Sequence, residues 1–105
     1  MNKLRKLIEK AINAQMDEKQ LSKHAHYQDL VQDYLMLWDI KNELIKDIRS
    51  RGVTTKYQNG KDQWGYKKNE SISELLKVNK QMLTILYDLG IRASDIKVVD
   101  EDVEL

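Results

Sequence analysis

A mainly α fold, three helices with one β-hairpin between the second and third and oligomerising through the long second helix, is what the sequence predicts, and three observations predict it. A third of the 105 residues are charged (33%), yet there are four Gly and no Pro. Amphipathic helices suit that composition better than a sandwich or barrel, whose turns need more of both residues. Apolar residues recur at helical spacing in three separate segments. Between the last two segments, an Asn-Gly pair divides two short runs of strand-forming residues.

The length is that of one domain, read as residues 1–105 with three parts: a basic N-terminal helix and linker over 1–20, a helix-hairpin-helix core over 23–92, and an acidic tail over 93–105. In the first part, Leu4, Leu7, Ile8, Ala11 and Ile12 form one stripe, and Lys3, Arg5, Lys6, Glu9 and Lys10 occupy the other side. Residues 3–16 therefore read as a short helix with a basic polar face. Ser22 is placed to cap the next helix.

From His24 to Arg51 the pattern is a long helix with two stripes. Tyr27, Val31, Tyr34, Trp38, Ile45 and Ile48 mark one, and Leu30, Leu37 and Leu44 repeat every seven residues on the other. Two stripes predict two neighbours, the chain's own third helix and a second subunit. A single broad core face on a monomer is the competing expectation.

Gly52 can stop this helix, and VTTKYQ-NG-KDQWGY follows. Asn-Gly is the preferred two-residue hairpin turn because both positions tolerate positive φ. Pairing outward from it sets Tyr57 opposite Asp62, Thr55 opposite Trp64 and Val53 opposite Tyr66. That register gives an aromatic face and a face of Thr54, Lys56, Gln58, Lys61 and Gln63. The expectation is that the aromatic side packs on the core, with stacking on unpaired bases as the alternative. Asn69 or Ser71 then caps a third helix, where Ser71-Ile-Ser-Glu74 has capping-box spacing. Its inner face is expected to run through Ile72, Leu75, Leu76, Asn79, Met82, Leu83, Leu86 and Leu89, with Gly90 as the stop.

The formal net charge of +1 hides a strong segregation. Residues 1–16 carry net +3, 17–45 net −3, 46–68 net +5, 69–94 are balanced, and 95–105 carry net −4. Basic surfaces of this kind neutralise phosphates and release counterions. The DNA-facing residues expected from them are Lys3, Arg5, Lys6 and Lys10 on the first helix and Arg49, Arg51, Lys56, Lys61, Lys67 and Lys68 at the second helix end and hairpin. The competing reading of these cations is a solvated face that keeps the protein in solution.

Catalysis finds no support in the residues. With no Cys there is no disulfide framework, thiolate nucleophile or cysteine zinc site, in keeping with a reducing cytoplasm. His24 and His26 are two apart, about 200° around a helix, so they do not chelate one metal from a regular helix. Asp29, Asp33 and Asp39 lie along a helix surface rather than converging as an acid–base pair. P-loop, GxSxG, HExxH and dinucleotide motifs are all missing. No catalytic residue, metal or cofactor is expected. No apolar run approaches the roughly 18 residues of a membrane span, and charge interrupts MNKLRKLIEKAINAQ before a signal-peptide core forms. The expectation is a soluble intracellular protein without a membrane partner.

The order of parts over about residues 27–96 is more specific than any one of them: Asp33, Tyr34 and Trp38 on a long helix, Gly52, a short polar hairpin with Gly60, Asn69 before a helix, and a Leu-Gly-Ile ending at 89–91. This order resembles the small subunit of the tailed-phage terminase, the DNA-packaging complex, although many members of that family carry Pro near the position of Asn69. The resemblance implies a non-catalytic subunit in the host cytoplasm that binds double-stranded viral DNA near the packaging start site. It also implies a ring-like homo-oligomer, here through Leu30, Leu37 and Leu44, and regulation of the large subunit that holds the ATPase and nuclease. The alternatives are a small helical transcription regulator and a protein-interaction module without DNA binding.

Overall fold

The computed structural model describes residues 2–92; the acidic tail over 93–105, a candidate partner contact, lies outside the described residues. Helix α1 (Lys3–Glu18) is followed by α2 (Ala25–Arg51), strands β1 (Thr54–Gln58) and β2 (Trp64–Lys68), and α3 (Glu70–Asp88). Three helices with an antiparallel hairpin between the second and third are thus present as expected. The chain divides into two compact units, one built from the chain up to Trp38 and from Met82 onward, the other from Asp39–Gln81.

In the first unit, Asn2 caps α1, its side-chain oxygen accepting from the N–H groups of Leu4 and Arg5 at 3.0 and 3.3 Å. Ile12 and Met16 of α1, Val31 and Leu35 of α2, Ile85 and Leu86 of α3, and Leu89 and Ile91 beyond it form one buried cluster. Each helix contributes at four-residue or adjacent-row spacing, which is what the amphipathic pattern dictates. Ser22 does not cap α2. It sits in the preceding turn, where its carbonyl accepts from the Gln28 side chain, and the carbonyl of His24 receives the first helical N–H groups, those of Tyr27 and Gln28.

Two expectations about apolar faces need correction or placement. Met82, Ile85 and Leu86 of α3 and Leu89 just beyond it are buried, whereas Leu76 and Leu83 are 62% and 67% exposed. Measured from Met82, these two leucines lie about 100–120° around the helix and fall off the core-facing stripe, while Ile85, not expected there, falls on it. On α2, Leu30 and Leu37 are half-buried against the cluster of this unit, beside Tyr27 and Tyr34, and Leu44 is half-buried in the second unit. The expected tyrosine and leucine positions of the first unit therefore meet along one broad face.

The second unit corrects the hairpin. Its register pairs Thr54 with Lys68, Lys56 with Tyr66, Tyr57 with Gly65 and Gln58 with Trp64, not the pairing expected from a two-residue Asn-Gly turn. Residues 59–63 form the loop, closed by Asn59 N–H to Gln63 O at 2.7 Å and a turn from Gly60 to Gln63. Gly60 has φ +132°, but Asn59 is not in the left-handed region that a two-residue turn requires of both positions. The register is instead held at the base, where Asn69 N–H donates to Val53 O at 2.8 Å and continues the ladder. The shift moves Trp64 and Tyr66 to the face of Thr54, Lys56, Gln58 and Lys68, and puts Tyr57 on the other. There the Tyr57 ring covers Gly65, where a Cβ would lie 2.9 Å from ring atoms.

Candidate nucleic-acid interface

What fastens the hairpin decides where its cations stand. Gly52, at φ +83°, ends α2 with its N–H donating to Ile48 O at 2.7 Å. Fully buried Asn69 precedes α3 and accepts from Ser71 N–H at 2.9 Å, so Asn69 is the cap. Its amide also donates to Gly52 O at 3.0 Å, tying the end of α2 to the start of α3. Arg51 Nη2 donates to Asn69 Oδ1 at 3.2 Å. The expected capping box on Ser71 is not formed, because the Ser71 hydroxyl donates to Asp47 Oδ2 at 2.5 Å.

Asp47 is the acceptor at the centre. Arg51 grips it with two bonds, Nε to Oδ1 at 2.7 Å and Nη2 to Oδ2 at 2.8 Å. The Arg51 bond first, then those from Ser71 and Asn69, hold the Asp47 carboxyl well below the usual carboxylate range against the opposing effect of desolvation. A depressed folded-state pKa contributes stability above the unfolded value and loses it as pH falls. The stability difference between the native chain and Asp47→Asn should accordingly be widest near neutrality and narrow as pH drops below about 4. Thermal melts of both proteins from pH 7 down to 2.5 check this, and a constant gap refutes it.

Of the ten cations expected at DNA, the structure separates three kinds. Arg51 is held by Asp47, and Lys67 pairs with Glu70 at 3.7 Å, so both have structural partners. Arg5 is half-buried. Lys3, Lys6 and Lys10 are exposed on α1 at i, i+3 and i+7, which sets them on one face. Arg49, Lys56, Lys61 and Lys68 are exposed in the second unit, and Lys56 and Lys68 share the hairpin face with Trp64 and Tyr66.

The aromatics on that face overturn the expectation of core packing: Trp64 is 58% exposed and Tyr66 74%. The Lys56 ammonium stands 4.6 Å from the centre of the Trp64 ring, a cation–π contact. Sequence reasoning missed the Asp47–Arg51–Asn69–Ser71 cluster. Its legible signals were the Asp-Arg pair four residues apart on one helix and Asn69 at a helix start.

Enzyme chemistry has little to build on here. Among the described residues, no group of three or more His, Cys, Asp or Glu side chains gathers as for a metal. An open groove of about 520 Å³ in the first unit is lined by Asn13, Met16, Asp17, Ser22, Gln28, Val31 and Gln32, of which Asp17 alone is ionisable. The His24 and His26 rings pack against each other and Tyr27, with centroids 4.4–6.0 Å apart. No described helix is long and apolar enough to cross a membrane.

The family model for the phage terminase small subunit matches residues 9–102, nearly the whole chain. The chain belongs to that family. No curated protein and no solved structure matches it. Membership gives this terminase small subunit a role in phage DNA packaging. It also accounts for the lack of catalytic motifs, since the ATPase and nuclease activities lie in the large subunit.

Proposed function

We propose that this terminase small subunit binds duplex viral DNA near the packaging start site in the host cytoplasm and, as a homo-oligomer, regulates the large subunit. The observation that carries the DNA reading is the exposed row Lys3, Lys6 and Lys10 on one face of α1, in a chain whose total charge is only +1. The second cationic surface is the hairpin with Lys56, Lys61 and Lys68. An oligomer repeats such faces, so phosphate pairings that are weak singly add up through effective concentration. Leu30, Leu37 and Leu44 remain the proposed assembly stripe. Leu30 and Leu37 are half-covered within one chain, against the buried cluster of the first unit. The tail at net −4 is a proposed partner contact.

A salt titration of duplex DNA binding tests this. Two variants are compared with the native chain, one with Lys3, Lys6 and Lys10 changed to Gln, the other with Lys56, Lys61 and Lys68 changed to Gln. The variant whose lysines meet phosphates in the native complex should bind more weakly at every salt concentration. Its slope of log K on log salt should flatten by about 0.9 for each phosphate no longer neutralised. If neither variant changes affinity or slope, these surfaces do not meet DNA and the protein-interaction reading replaces this one.

A further inference from the structure

The hairpin face exposes two aromatic rings that the duplex reading does not use. Its six residues are Thr54, Lys56 and Gln58 on β1 and Trp64, Tyr66 and Lys68 on β2. Not one is aliphatic. Protein–protein interfaces also gather Trp and Tyr but are depleted in Lys, whereas rings flanked by two ammonium groups and short polar side chains match what proteins present to unpaired nucleic acid. We propose that this face binds single-stranded DNA, Trp64 and Tyr66 each stacking on an unpaired base while Lys56 and Lys68 meet the adjoining phosphates. The proposal rests on the DNA reading above and adds a second form of DNA to it.

Spacing and charge support that occupant. Trp64 and Tyr66 are two residues apart on one strand, so their attachment points are separated by about 6.7 Å. Bases in a duplex rise about 3.4 Å each and cover one another's faces. Rings attached at twice that spacing suit bases drawn apart on a stretched strand, not the closed edges of paired ones. Charge is complementary, since the segment from Thr54 to Lys68 carries four lysines against the single acid Asp62. The Lys56 ammonium, 4.6 Å from the centre of the Trp64 ring, puts a cation beside the proposed stacking platform, within reach of the backbone of a strand bound there.

The test uses the full-length protein, oligo(dT), an abasic oligonucleotide with the same number of phosphates, and a blunt duplex. Trp38 is buried and Trp64 exposed, so ligand quenching of the accessible emission reports on Trp64. Oligo(dT) should quench it and bind roughly tenfold or more tightly than the abasic strand. Trp64→Ala should remove most of that preference, and Trp64→Phe should keep part of it, with melting temperature unchanged in both. Equal binding of the two single strands, or a preference untouched by Trp64→Ala, overturns the proposal. So does quenching by the purified large subunit with none by oligo(dT), which assigns the face to a protein. Duplex binding that persists when the oligo(dT) arm fails leaves the duplex-DNA reading standing, whereas loss of both removes the two together.

Discussion

Leu35→Ala should lower stability by about 2–5 kcal/mol, a fall in melting temperature on the order of 10 °C or more. Leu35 is 1% exposed in the cluster that α1, α2 and α3 share in the first unit. Truncation there loses the transfer of three buried carbons from water and leaves a cavity that helices packed on several sides cannot close. Leu83→Ala is the control. At 67% exposure Leu83 has little to lose within one chain, and its cost should stay within about 0.5 kcal/mol. Denaturant melts at low concentration, where any assembly is dissociated, compare the two. Equal losses would show that the core does not run through Leu35 as described.

Asn69→Ala should cost about 2–3 kcal/mol, large for an uncharged polar side chain. The buried amide caps α3 through Ser71 N–H, satisfies the carbonyl of Gly52, and receives a bond from Arg51. Removing it leaves Gly52 O without that donor and weakens the base on which the hairpin register rests. Amide exchange of Thr55 and Lys67 should accelerate along with the loss of stability. Asn69→Asp separates the parts: it keeps an acceptor for Ser71 N–H but loses the donor to Gly52 and places a second carboxylate beside Asp47. If the Asp variant is as stable as the native chain, the cap alone matters and the tie to α2 contributes nothing.

Much of this was legible in the residues because it depends on local spacing. The 3.6-residue period located all three helices, and Gly52 and Gly90 marked two of their ends through the left-handed conformation both adopt. The cationic row on α1 was equally open to reading, since Lys3, Lys6 and Lys10 share a face in any helix. The hairpin was found and its register missed. Asn59-Gly60 is a strong local preference, but three residues' difference in pairing is decided by what grips the base of the hairpin, and that grip joins Asp47 to Asn69 and Ser71 over more than 20 residues.

By itself, then, the sequence determined the helices, the presence of a hairpin, the segregation of charge and, through the order of these parts, membership of the terminase small-subunit family. Each of these follows from periodicity, composition or short-range turn chemistry. Only the tertiary structure decided which apolar flank of α3 is covered, that Arg51 and Lys67 serve acids of their own chain, and that Trp64 and Tyr66 face outward. The reason is physical. A strand alternates its faces every residue, so an odd shift in register exchanges the partners on each face, and the bonds that set the shift lie outside the strands themselves.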